Sequence, residues 1–163
     1  MTSRRSFLIA GSALALGGGL TTRLVRPATA TETFPVTLSD SVWRQRLAPT
    51  QYHILREEGT EPPYSSPLNA EHRTGTFACA GCGHKLFSSA AKFDSRTGWP
   101  SFWEPLPGAV GERTDTSFGM VRTEVHCARC GSHLGHVFDD GPQPTGLRYC
   151  MNGLALLFAP GQA

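Results

Sequence analysis

Five cysteines are the residues of this chain whose types and spacing can do chemistry, and four of them pair off. Cys79-Ala80-Gly81-Cys82 and Cys127-Ala128-Arg129-Cys130 are two Cys-x-x-Cys pairs, each followed directly by a glycine, Gly83 and Gly131. That spacing lets a tight turn deliver two thiolates to one ion. Two such pairs predict one tetrahedral, structural Zn(II) site, full in its coordination and so without chemistry of its own. Redox-active disulfides, or an iron centre of rubredoxin type, would use the same residues. The pairs lie 44 residues apart, so a shared site requires tertiary folding to clip two distant hairpins together.

Cys150 is left over, within Gly146-Leu147-Arg148-Tyr149-Cys150-Met151-Asn152-Gly153. Arg148 beside it, and His133, His136 and Asp140 upstream, make it a candidate nucleophile, because the thiolate is the reactive form and nearby cations favour it. The competing reading is a buried, inert thiol. His133 and His136 are three residues apart, on opposite faces of a regular strand, but Gly135 allows a bend that brings them together. Trp99, in Gly98-Trp99-Pro100-Ser101-Phe102-Trp103, points toward a cavity or into the core, and composition favours the core.

The elements that must position these residues are mainly strands. Ser39-Asp40 opens a short helix over Val42–Leu47, and Pro49-Thr50 a second, with Gly59 as its stop. Glu61-Pro62-Pro63-Tyr64-Ser65-Ser66-Pro67 cannot continue a helix and wraps the body. A disordered spacer is its alternative. From Thr74 onward, short runs separated by glycine, proline and aspartate predict strands: Gly75–Ala78, Lys85–Ser88, Ser101–Trp103, Ser117–Val125, Leu134–Phe138, Arg148–Cys150 and Leu154–Phe158. The expected fold is therefore mainly β and antiparallel, with two or three short N-terminal helices.

Of the 163 residues, 39% are hydrophobic and 17% charged, which suits one compact domain preceded by a removable piece. Ser3-Arg4-Arg5-Ser6-Phe7-Leu8, the glycine-containing apolar run from Phe7 to Leu20, and Ala28-Thr29-Ala30 resemble a twin-arginine (Tat) export signal with its cleavage site. An uncleaved amphipathic anchor is the alternative. Residues 1–30 are accordingly read as signal, 31–38 as linker and 39–160 as the domain. The expected location is the periplasm, with membrane contact only during export. The signal holds four of the 15 basic residues and none of the 13 acidic ones, so its loss moves the formal charge from +2 to −2. A nucleic-acid surface, which needs clustered basic excess, is not indicated.

Taken together, Cys79–Gly83, Phe93-Asp94-Ser95 with Gly98-Trp99-Pro100-Ser101-Phe102, His133-Leu134-Gly135-His136-Val137-Phe138-Asp139-Asp140-Gly141-Pro142 and Arg148-Tyr149-Cys150-Met151-Asn152 resemble the B-type peptide methionine sulfoxide reductases. The likeness spans about Ser39 to Phe158. It implies a β-tent body of two antiparallel sheets, with zinc held by the four paired cysteines away from the active site. It also implies thiol-dependent reduction of methionine-R-sulfoxide in oxidised proteins, with a thioredoxin-like donor. By position, Cys150 would be the nucleophile, with Trp99 and Phe138 against the substrate. His133, His136, Asp140, Arg148 and Asn152 would line the polar side. One departure stands out: many members carry a resolving cysteine where this chain has Thr97, and no cysteine is spare. Non-enzymatic β-tent binding modules, such as the ligand-binding domain of cereblon, are also similar but need no thiol. An iron centre on the four thiolates would instead serve electron transfer and colour the protein red.

Overall fold

The structure, a computed structural model, describes residues 32–161. The expected signal at residues 1–30 lies outside them. Among the described residues no helix is long and apolar enough to cross a membrane.

Two helices open the unit Thr33–Ala163: α1, Asp40–Arg46, and α2, Pro49–Glu57. Ser39 has extended backbone geometry before α1, but its side chain makes no capping bond; its carbonyl accepts from Val42 and Trp43 instead. Pro49 at the first position of α2 costs no hydrogen bond there. The left-handed residue that ends α2 is Glu58, at φ 56°, with Gly59 following it. The Tyr52 hydroxyl donates to Asp40 and ties the two helices together, while Trp43, Leu47, Ile54 and Leu55 bury their shared apolar side.

Nine strands follow: β1 Gly75–Cys79, β2 Lys85–Ser88, β3 Lys92–Phe93, β4 Ser101–Phe102, β5 Val110–Asp115, β6 Arg122–Cys127, β7 His133–Phe138, β8 Arg148–Met151 and β9 Leu156–Pro160. They form two antiparallel sheets, β2-β1-β9 and β3-β4-β8-β7-β6-β5. The mainly β fold of two antiparallel sheets with few helices is thus as expected. Aromatic rings join the sheets: Phe87 of β2 stacks on Phe102 of β4 at 4.3 Å, and Phe77 of β1 meets Phe102 edge-on at 4.9 Å. Alternate residues Phe77, Phe102, Val125 and Met151 point into this core because side chains alternate across a strand.

Two strand expectations need correction. Ser117–Val125 is not one strand: Ser117–Gly119 is a 3-10 turn in which Phe118 takes φ 54°, and the strand starts at Arg122. The last strand starts at Leu156, because Gly153–Ala155 is another 3-10 turn. Two strands were not expected, β3 and the edge strand β5. Within the segment 31–38, read as linker, Val36 donates to Arg129 at 2.9 Å and Phe34 meets the His126 ring edge-on.

Phe102 is fully buried at the junction of the sheets. Phe102→Ala should therefore cost about 3–5 kcal/mol in urea unfolding. A loss under about 1 kcal/mol would show that the ring does not join them.

Candidate active site and metal centre

The four paired cysteines sit at the tips of two matching hairpins, one from each sheet. Cys79 ends β1 and Cys127 ends β6; in each turn the glycine after the second cysteine donates back to the first cysteine's carbonyl at 2.8 Å. Gly83 and Gly131 hold φ 73° and 65°, left-handed values open to glycine at no steric cost. The sulfurs Cys79–Cys130 and Cys82–Cys127 are each 3.7 Å apart, and all four lie within 4.8 Å of one another. A tetrahedral ion with metal–sulfur bonds near 2.3 Å sets its ligands about 3.8 Å apart, so the cluster fits a metal ion. None of the four is in a disulfide.

From Cys130, β7 carries the chain into the second site. Its register slips by one residue against β6 between Val125 and His126, leaving Leu134 as a bulge. The extra residue reverses the parity of the strand, so His133 and His136 share a side with ring centres 5.4 Å apart. Gly135 is required here for space: a Cβ would overlap the carbonyl oxygen of Cys150. Across the ladder His136 pairs with Cys150 of β8, which pairs with Ser101 of β4. This register sets thiol, imidazole and hydroxyl side by side on one face.

Cys150 is half-buried and lines a cavity of about 140 Å³ together with Thr60, Trp99, Arg122, Gly135, His136, Phe138 and Asn152. A larger cleft of about 490 Å³, bordered by Glu112, Thr114, Val121 and Leu147, carries neither thiol nor imidazole. Chemistry rather than size picks the site. Trp99 is held through its indole nitrogen, which donates to the Glu61 carbonyl at 3.1 Å. Glu61, on the proline-rich strap, is itself buried, with its carboxylate accepting from the Gly153 and Leu154 amides at 2.6 and 2.8 Å.

The remaining sequence candidates divide by position. Asn152 borders the cavity, yet its amide is occupied by the Glu61 N–H and the Leu134 carbonyl. His133 is buried behind it, 2.7 Å from Glu124, with Nε2 buried and without a partner. Asp140 does not border the cavity; it grips Arg148 with both oxygens at 2.8 and 2.9 Å, and Arg148 stacks over Phe138 at 4.4 Å.

Burial pushes the Cys150 thiol up; Thr97, Arg148 and Ser101 only partly offset it. Among the described residues no hydrogen bond joins an imidazole to the sulfur, and the effect of burial outweighs that of the Arg148 guanidinium. Desolvation also lowers His136, and the hydrogen bond to Asp115 at 2.8 Å offsets part of that. Asp115 is held well below the usual carboxylate range by the Ser117 amide, then by the Ser117 hydroxyl, His136 and Arg122. Burial alone would raise Glu124, but His133 and Arg113 hold it low. Asp115, Glu124 and Arg122 escaped the sequence reading, and Glu61, Ser95 and Ser101 were read there without a role at the site.

A SelR domain family model matches residues 47–160. The chain belongs to that family. Three members named peptide methionine sulfoxide reductase MsrB illustrate the likeness. The protein from Agrobacterium fabrum is 56% identical over 126 residues, covering 77% of this chain and 93% of its own length. That from Thiobacillus denitrificans is 60% identical over 123 residues, covering 75% and 93%. A third, from Methanosarcina barkeri, is 53% identical over 121 residues, covering 74% and 85%. The SelR match spans both hairpin tips and the Cys150 cavity, so metal centre and thiol site belong to one family unit.

Two outcomes follow from this geometry. Cys127→Ser should lose its metal ion and drop Tm by at least about 10 °C, because site and fold are coupled; a metal-free variant of unchanged Tm would contradict the clip. His136, depressed in the folded state, binds its proton less readily than in the unfolded chain. Its contribution to stability is present above the unfolded pKa of about 6.5 and is lost as pH falls below it. His136→Gln should flatten stability between about pH 6.5 and 5, measured by urea titration at each pH.

Proposed function

We propose that this chain reduces methionine-R-sulfoxide in oxidised proteins to methionine, with Cys150 as nucleophile and structural zinc on Cys79, Cys82, Cys127 and Cys130. The observation that carries the reading is a single unpaired thiol lining a small open cavity between an indole and an imidazole. Relatives named for methionine sulfoxide reduction support the reaction class. Four soft thiolates at tetrahedral spacing favour zinc or iron over a hard cation. When bound, zinc supplies folding energy and no open coordination position.

The chemistry runs through the chain's own side chains. A sulfoxide sulfur is electrophilic, while its oxygen is a poor leaving group until protonated. Ionised Cys150 attacks the sulfur; the oxygen receives a proton and ends on Cys150 as a sulfenic acid, as the thioether leaves with two more electrons. Trp99 offers an apolar face for the substrate's methyl group, and Phe138, under Arg148, extends that wall. His136 is the nearer proton carrier, with Asp115 fixing one ring nitrogen, and His133 stands behind it on Glu124. Arg148, locked by Asp140, places positive charge beside the reacting sulfur. Apolar and polar walls on different sides of the sulfur discriminate one epimer, the R form.

Recycling uses an external, thioredoxin-like thiol. It attacks the sulfenic acid to give a mixed disulfide and water, and a second thiol then releases Cys150. Drawing a cysteine from the metal cluster instead would sacrifice folding energy. A non-enzymatic binding module would retain the cluster and Trp99 but has no use for a thiol in the cavity. We also propose export through the twin-arginine pattern at Arg4-Arg5, to the periplasm; N-terminal sequencing of the exported protein should begin after Ala30.

Cys150→Ser should lower turnover of a methionine-R-sulfoxide peptide with dithiothreitol by at least about 1,000-fold, with the S epimer untouched by either protein. Appreciable turnover by the serine variant, or reduction of the S epimer, would sink the assignment. Metal analysis that finds iron in a red protein would move the four thiolates to electron transfer.

A further inference from the structure

Next to Cys150 lies a row of three hydroxyls that the mechanism above leaves unused. Thr97 Oγ1 is 3.9 Å from Cys150 Sγ and 2.8 Å from Ser95 Oγ; Ser95 Oγ is 2.7 Å from Ser101 Oγ; Ser101 Oγ donates to the Trp99 carbonyl at 3.1 Å. The row is fixed at both ends. Ser101 sits on β4, in register with Cys150. The loop carrying Thr97 is clamped by the strap, since Tyr64 donates its N–H to Gly98 at 2.7 Å and its hydroxyl to Arg96 at 2.8 Å.

Proton counting gives the row a direction. A carbonyl only accepts, so Ser101 spends its proton on Trp99, Ser95 spends its own on Ser101, and Thr97 spends its own on Ser95. With all three committed, the Thr97 oxygen faces a neutral Cys150 thiol as an acceptor. Once the sulfur ionises that arrangement fails, and rotation of the Thr97 hydroxyl turns it into a donor toward sulfur, with Ser95 swinging to donate to Thr97. Hydrogen bonds to a charged acceptor are about twice as strong as neutral ones. Among the described residues no hydrogen bond joins His133 or His136 to the sulfur, and Thr97 stands beside Arg148 as a donor to it.

We propose that Thr97 is a catalytic residue: its hydroxyl, ordered by Ser95 and Ser101, donates the hydrogen bond that holds the ionised Cys150 sulfur. The inference rests on Cys150 being the nucleophile, and its readout is independent of sulfoxide turnover. The partial lowering of the Cys150 thiol by Thr97 and Ser101 agrees in direction with this geometry.

The test is the pH profile of Cys150 alkylation by iodoacetamide, followed by mass spectrometry of its peptide in the full chain with the metal site loaded. Thr97→Val should move the midpoint up by about one unit, a roughly tenfold slower alkylation at pH 7. Thr97→Ser should restore the wild-type profile, and Ser95→Ala should fall between, because Thr97 then loses its ordering partner. Turnover of a methionine-R-sulfoxide peptide by Thr97→Val should show kcat reduced about tenfold with KM held. An unchanged alkylation profile in Thr97→Val, or a Thr97→Ser profile that matches valine, overturns the proposal. Should valine disrupt the fold by circular dichroism, Thr97→Ala carries the same comparison. A shifted profile in a protein that turns over no sulfoxide would keep the hydroxyl donor and remove the reductase reading.

Discussion

Everything in this fold leans on the meeting of two hairpin tips. The β1–β2 turn belongs to the three-stranded sheet and the β6–β7 turn to the six-stranded one, so sulfurs at tetrahedral spacing fix one sheet against the other. Four ionised thiols this close would repel unless a cation compensated them, so an ion held there would be a condition of the junction rather than an ornament. The junction is also tied to the helices: Arg56 of α2 donates to the Cys130 carbonyl at 3.2 Å and to the Ser132 hydroxyl at 3.3 Å. Ser132 directly precedes His133. A shift in the cysteine turn would therefore pass within one residue into β7, where the bulge at Leu134 decides which side His136 occupies.

The thiol site shows a contest between burial and charge. Cys150 must be partly removed from water to meet an apolar thioether, and the same removal penalises its thiolate. Arg148 opposes that penalty, but Asp140 neutralises much of its charge from the exposed side. The carboxylate thus fixes the geometry of the guanidinium at the expense of its field. The two imidazoles are arranged likewise, each given a carboxylate partner, Asp115 for His136 and Glu124 for His133. Paired in this way they are oriented to carry a proton and not to stand as permanent cations beside sulfur.

What the sequence revealed was local and repetitive. Both metal turns could be read because Cys-x-x-Cys-Gly holds all the information its geometry needs, and β2 was read to its exact limits because Lys85-Leu86-Phe87-Ser88 is bounded by turn residues. What it hid was conditional on tertiary structure. Val110-Gly111-Glu112-Arg113-Thr114-Asp115 carries almost no apolar alternation, since an edge strand pairs on one side only and leaves much of its surface in water. Missing β5 meant missing Asp115, and with it the partner of His136. Phe118 and Val121 read as strand by type, yet Phe118 turns the chain and both are exposed. Glu124 was invisible for a different reason: a lone acid inside a strand pattern reads as an outward residue until His133 and Arg113 are seen to enclose it.

Thr97 connects these threads to the question of how the site resets. Its oxygen lies 3.9 Å from the Cys150 sulfur, where a resolving thiol would need to be, and a hydroxyl cannot form a disulfide. Of the other cysteines, Cys79, Cys127 and Cys130 are buried and all four belong to one cluster. An oxidised Cys150 in this chain therefore has no thiol neighbour that can move without dismantling the junction of the sheets. In the proposed reaction the reductant would enter from solvent through the same opening as the substrate, so release of repaired methionine would precede reduction of the sulfenic acid. In that proposed cycle the hydroxyl row would act in both halves: it would steady the sulfur as it attacks, and again as the leaving thiolate when the mixed disulfide is broken.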